Sequence, residues 1–387
     1  MSAKSLPRAS LPASVRLAAQ VMAPPLLQGV ILRRRSGVWL AALADADGRA
    51  TRLLRRMRAR YGDGPLVVPL PGRGPLILPL AAADVERVLA DPAHHPATRE
   101  KTGALAHFQP DGVLATRDPG LRARRRAFNE RVLAASDPGV LGEIARQELR
   151  TLPRYGRLTW DAFSAVHWRI ARRVVLGDGA RDDEALTWML NRLRGDANWS
   201  YLRGHRTDVR SRFERRLRTH LERAEPGSLA ARAAATPADP ELHAEGQVPH
   251  WLFAMDAVGI AAYRALALLA AHPGAPIRES VLESVRLWPT TPIILRTAPD
   301  GATVAVHVPY VNREAGGDRF APGAPTGVPF SAGHAACPGR DLATELATAE
   351  LTELLRERQF AGPRLPAVLP GSLDHFALTF AVRQAGR

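Results

Sequence analysis

Residues 330–343 read Phe330-Ser331-Ala332-Gly333-His334-Ala335-Ala336-Cys337-Pro338-Gly339-Arg340-Asp341-Leu342-Ala343, and Cys337 is the only cysteine in 387 residues. One thiol rules out an internal disulfide and any multi-cysteine zinc or iron–sulfur site. It fits a reducing cytoplasm. The cysteine sits where a glycine-bearing loop meets a helix start. Backbone N–H groups and the positive helix end favour a thiolate there. Gly333 and Gly339 permit close approach of backbone to a flat ligand, and Phe330 is placed to shield the sulfur. A lone cysteine is usually a small core residue. No protease or oxidoreductase signature surrounds this one, and its local chemistry favours a metal-bound thiolate.

The spacing Phe-x-x-Gly-x-x-x-Cys-x-Gly, with Ala343 four residues further on, resembles the haem-binding loop of cytochromes P450. The resemblance implies a mainly α fold with a minor β part, haem b as cofactor and Cys337 as its axial ligand. It implies oxidation of a small organic substrate, by hydroxylation or by oxidative ring closure or coupling, in a natural-product setting. The thiolate would supply the electron density that favours O–O cleavage. Electrons would come from a ferredoxin and ferredoxin reductase, because the chain has no flavin or iron–sulfur domain of its own. An acidic ferredoxin would suit a basic surface around Arg124, Arg125, Arg126 and Arg340.

Other segments support the resemblance. The family's Glu-x-x-Arg element matches Glu283-Ser284-Val285-Arg286, whose spacing puts both charges on one helix face. Glu143/Arg146 and Glu353/Arg356 have the same spacing, but only Glu283/Arg286 ends 51 residues before Cys337 and precedes Pro289 and a strand-like run. Arg319, in Asp318-Arg319-Phe320, matches the third member of that network. Arg296, Arg125, His107 and His334 match or stand near positions that hold haem propionates, which need cations or donors. Two departures occur here: Leu121 stands where a histidine or tryptophan is usual, and Ala335 where a basic residue is usual.

Residues 249–272 resemble the helix crossing the oxygen-binding face. Phe253-Ala254-Met255-Asp256-Ala257-Val258-Gly259 keeps the acid of the family pattern, Asp256, and its small residue, Ala254. The threonine position is Ala257. An acid without an adjacent alcohol needs water or substrate for its proton relay. Met255, Val258, Ile293 and Ile294 are the expected substrate pocket. The bland alternative for Asp256 is a buried acid satisfied by backbone or by Arg264. Only nine residues separate Pro273 from Glu283, so a helix common in the family has no room. These departures keep a second reading open, a haem-thiolate protein that is peroxide-driven, non-oxidative or merely ligand-binding.

Periodicity predicts helices over residues 38–61, 84–90, 121–133, 143–149, 160–176, 182–193, 211–225, 249–272, 278–287 and 338–360. A hairpin is expected from two apolar runs, 65–70 and 75–80. Short strands are expected at 293–297 and 303–308, a loop at 239–248, and an irregular meander over 314–329. Asp182-Asp183-Glu184 reads as an acid-rich helix start, not a magnesium site. No compositional break marks a second domain, so residues 1–387 read as one domain with 1–35 as an N-terminal extension.

Lys plus Arg is 53 against 38 Asp plus Glu, a formal charge of +15. The arginine runs carry no aromatic platform or nucleic-acid motif, so a solvated basic surface is expected and no nucleic-acid partner. No signal peptide is evident. Residues 17–32 are apolar but broken by Pro24-Pro25 and followed by three arginines; they read as a packed helix end or a membrane-surface segment. The stretch 251–271 is long and apolar enough to span a bilayer. Asp256 and Arg264 would each cost about 2.5–3.5 kcal/mol at its centre, so a buried core helix is expected, not an integral span.

Overall fold

The computed structural model describes residues 5–69, 74–134 and 137–384. The chain divides into two compact units. One comprises Met1–Thr98, Leu282–Cys337 and Leu365–Asp374, the other Arg99–Val281, Pro338–Arg364 and His375–Arg387. Composition marks no boundary because each unit is assembled from distant segments. The described strands are β1 (Leu66–Val68), β2 (Leu76–Leu78), β3 (Gly156–Thr159), β4 (Ile293–Thr297), β5 (Thr303–His307), β6 (Arg358–Ala361) and β7 (Thr379–Gln384).

The first unit contains a four-stranded sheet of order β1-β2-β5-β4. β1 and β2 pair antiparallel, Val67 opposite Ile77. This is the hairpin expected from the two apolar runs; its turn, residues 70–73, lies outside the described residues. Leu17 and Val21 pack with Leu54, Leu66, Leu78 and Val306 in one core cluster, so residues 11–28 pack into this unit. The helix expected over residues 38–61 is two helices, Arg35–Leu43 and Ala46–Tyr61. The break is at Asp45, whose φ is +43°. That turn lets the Asp45 carboxylate accept from the backbone N–H groups of Gly371 and Ser372, at 2.7 and 3.3 Å. The meander starts later than expected, because His307 caps a helix over Val308–Gly316, accepting from the Tyr310 N–H.

The second unit is built on the helix Val248–Ala271, flanked by Trp160–Leu176 and Arg340–Arg356. It is long and apolar enough to cross a membrane, yet 78% of its most apolar window is buried. It is a core helix. The loop expected before it winds into two short turns, Pro240–Leu242 and Ala244–Gln247. The last helix ends at Arg356, not residue 360. β6 follows it and pairs with β7, which also pairs with β3. Sequence periodicity missed β3 and β7 because their partners are distant in the chain. Asp183 caps the helix Glu184–Ala197 by accepting from the Leu186 N–H, as an acid-rich helix start should.

Candidate functional site

In the first unit the thiol loop is fixed through its backbone. The Cys337 N–H donates to the Phe330 carbonyl at 2.8 Å, and the Ala336 N–H donates to the Gly333 carbonyl at 3.0 Å. Ser331 and Gly333 have positive φ, +59° and +62°. A Cβ on Gly333 would stand 2.1 Å from the Leu89 carbonyl oxygen, at the end of the helix Ala82–Ala90. Only glycine fits. Gly339 differs: its φ is −94°, and a Cβ there would meet Leu133 at an ordinary 3.7 Å. Nothing within the chain requires glycine at that position. The loop leaves Cys337 exposed.

Arg296 is buried on β4 and donates to the Ser331 hydroxyl at 2.9 Å. A strand residue thus supports the strained corner of the loop. Consecutive strand residues point to opposite faces. Ile294 therefore shares Arg296's buried face, while Ile293 is half-exposed. His334 is half-buried. The Asp91 carboxyl is held below its ordinary range first by the Ala93 N–H, with the charges of His94 and His334 adding to it.

Glu283 and Arg286 form a buried ion pair, Nη2 to Oε2 at 2.7 Å. Arg286 also donates to the carbonyls of Gly317 and Arg319, at 2.6 and 2.7 Å. Glu283 accepts from the Ala321 N–H. The expected role of the Arg319 guanidinium is corrected here: its side chain is exposed and only its carbonyl joins the network. The buried arginine of this region is Arg313, which pairs with Asp318 at 2.9 Å. Sequence reading missed it because it lies in an unexpected helix.

In the second unit, the long helix presents His250, Phe253, Ala254 and Ala257 half-exposed along one stripe, at the 3–4 spacing of a helix face. Met255 and Val258 are 3% and 5% exposed. They lie on the buried side of the helix. Asp256 accepts from Arg194 at 2.6 Å. Arg194, not Arg264, is its partner, and its guanidinium lies 5.0 Å from the centre of the Phe253 ring.

Sequence reading also missed His167. Its Nε2 donates to the Met255 carbonyl at 2.7 Å, and its Nδ1 meets Glu350 at 2.8 Å. Burial acts to lower the His167 pKa, but the charge and hydrogen bond of Glu350 outweigh it and the pKa is raised. The ring reaches the long helix only because residue 259 is glycine: a Cβ there would stand 2.6 Å from it. A glycine inside an apolar helix was the available signal.

Arg125 is buried and already used. It donates to the Leu242 carbonyl, Thr116 and Asp111 at 2.9–3.0 Å. These bonds hold its guanidinium within the protein. Its neighbour Arg124 pairs with Asp239 and Glu241. By contrast, His107 is 1% exposed, and neither ring nitrogen has a hydrogen-bond partner. Burial, then the neighbouring charge of His205, lowers its pKa. The Nε of Arg122 is buried in the same condition. Buried donors are rarely left unsatisfied. In the first unit, an exposed thiol on a loop braced by its own backbone fits a ligand to iron; in the second, buried donors lacking protein acceptors fit an anionic group.

No family model matches the chain, and no curated protein matches its sequence. Solved structures do match. A cytochrome P450 (CYP102L1) aligns with 98% of this chain and 99% of its own, at TM-score 0.69 and 16% identity. A six-coordinated cytochrome P450 from Thermus thermophilus aligns with 88% of this chain and 99% of its own, at TM-score 0.65 and 21% identity. P450BioI, solved in complex with an acyl carrier protein ligated to hexadec-9Z-enoic acid, covers the same shares at TM-score 0.64 and 15% identity. The chain has the cytochrome P450 fold, mainly α with small sheets.

Proposed function

We propose that the chain binds haem b through Cys337 and oxidises a small organic substrate, as a monooxygenase-type enzyme of natural-product metabolism. The observation that carries this reading is the 330–337 backbone. Its Cys337-to-Phe330 hydrogen bond and its glycine wedged against Leu89 present the chain's single thiol outward, just before the helix Arg340–Arg356. Bound haem would supply dioxygen chemistry driven by thiolate electron donation. His107 would hold a propionate through a neutral N–H, with Arg122 and Arg296 as cations and His334 as a further donor. The stripe Phe253, Ala254 and Ala257 would face the substrate. Arg194 would orient the Asp256 carboxyl, and protons would pass through water, because Ala257 brings no hydroxyl. Electrons would come from a ferredoxin and its reductase, the ferredoxin docking near Arg126 and Arg340.

The test is spectroscopic. Haem-replete protein, reduced and treated with carbon monoxide, should show the thiolate-type Soret shift, and Cys337→Ser should lose it. A folded, haem-replete protein without the shift, or a Cys337→Ser spectrum like the wild type's, refutes the reading. Half-exposed Ala257 at the alcohol position favours one alternative, a haem-thiolate protein outside the usual oxygen chemistry. Turnover with peroxide but not with ferredoxin and reductase would select it.

A further inference from the structure

Among the described residues, thirteen large apolar side chains are exposed, and eight of them fall within residues 11–43. Leu11 and Val15 lie one turn apart on the helix Leu11–Leu17 and are 73% and 59% exposed. Trp39, Leu40 and Leu43 share one face of the helix Arg35–Leu43, at 53%, 52% and 72%. The opposite faces are also apolar: Ala13, Leu17, Val38 and Ala41 are buried. Packing within the unit accounts for those faces and leaves the outer ones unexplained.

The exposed faces of the second and third helices, Ala23–Gln28 and Arg35–Leu43, adjoin. A Cβ on Gly37 would stand 2.1 Å from the Leu27 carbonyl oxygen, so the helix Arg35–Leu43 lies directly against the end of Ala23–Gln28, where Leu26 is 52% exposed. Arg34 secures this junction by donating to the Leu26 and Leu27 carbonyls. The charge here is one-sided. Residues 1–44 contain no Asp or Glu but six basic residues: Lys4, Arg8, Arg16, Arg33, Arg34 and Arg35. Arg8, Arg16 and Arg35 are exposed.

We propose that this face binds an anionic lipid bilayer, with its helices lying in the interface and not crossing it. Trp39, Leu40 and Leu43 enter the boundary between headgroups and acyl chains, and the exposed arginines meet the headgroups. Leucine and tryptophan on a basic, acid-free surface are what such binding needs. A second copy of the chain fits poorly. A two-fold interface would oppose like charges, with no acid in either partner's residues 1–44 to offset them. The inference does not depend on the haem reading.

The full chain should co-sediment with vesicles of phosphatidylcholine plus phosphatidylglycerol about tenfold more strongly than with phosphatidylcholine alone. Trp39→Ser/Leu40→Ser/Leu43→Ser should lose most of that binding while keeping the circular dichroism and sedimentation coefficient of the wild type. Brominated lipid should quench wild-type fluorescence more than that of Trp39→Phe, a readout that survives if the triple variant fails to fold. Three results would overturn the proposal: no preference for anionic vesicles, equal quenching in Trp39→Phe, or a wild-type dimer that the triple variant converts to monomer.

Discussion

Arg194 and Asp256 are ion-paired at 2.6 Å, with the arginine side chain 1% exposed and the acid 17% exposed. The asymmetry sets which partner is more costly to remove. Without Asp256, a buried guanidinium keeps Asn191, at 2.7 Å, as a neutral partner. Without Arg194, the acid can recover water. Asp256→Ala should therefore cost about 3 kcal/mol, and Arg194→Met about half that. Urea unfolding of both variants measures the order. The reverse order would mean that Arg194 acts mainly by packing on Phe253.

The two loop glycines should part company. Alanine at 333 meets both a positive φ and a backbone oxygen at 2.1 Å. Gly333→Ala should cost about 3 kcal/mol and lower haem content after reconstitution. Gly339→Ala should stay within about 1 kcal/mol, since its new Cβ has 3.7 Å of room. Melting curves and haem-to-protein ratios decide. Equal losses at both positions would shift the constraint from the chain to its ligand.

The thiol loop, the Glu283–Arg286 pair and the long helix were legible because each rests on local spacing. Long-range choices were not. Asp45 breaks a helix to reach Gly371, more than 300 residues away in sequence. β7 pairs with β3 across more than 200 residues. Arg125 carries the charge that a propionate needs, yet it also donates to Leu242, 117 residues away, and to Thr116 and Asp111. Periodicity placed Met255 and Val258 on the long helix without revealing which face they occupy. His167 was hidden because a buried histidine gives no sequence signal until Glu350 and Gly259 are seen around it.

His307 should make the fold acid-sensitive. It is 4% exposed, its Nδ1 accepts from the Tyr310 N–H, and its Nε2 has no hydrogen-bond partner. Burial lowers its pKa from 6.5 to about 3. Between those values the unfolded chain holds a proton that the folded one refuses, so stability falls as pH falls. The loss from this residue at pH 5 is about 2 kcal/mol. His307→Asn keeps a capping side chain and should flatten the decline between pH 7 and pH 5 by that amount. An unchanged slope would show that His307 is not what resists protonation.

The His167–Glu350 pair should act in the opposite direction. The pair is almost fully buried, at 1% and 0% exposure, and the folded-state pKa of His167 is raised. The imidazolium donates from both nitrogens, to Glu350 and to the Met255 carbonyl beside Asp256. Its contribution is fully present below about pH 6.5, the unfolded value. It is lost as pH rises through the raised folded value. Glu350→Gln removes the charge that raises it. Stability measured from pH 6 upward should therefore show the wild type well above Glu350→Gln at the acid end, by about 3 kcal/mol. The gap should narrow as pH increases. Parallel curves would mean that Glu350 does not raise the His167 pKa and that no imidazolium charge braces the helix at Met255.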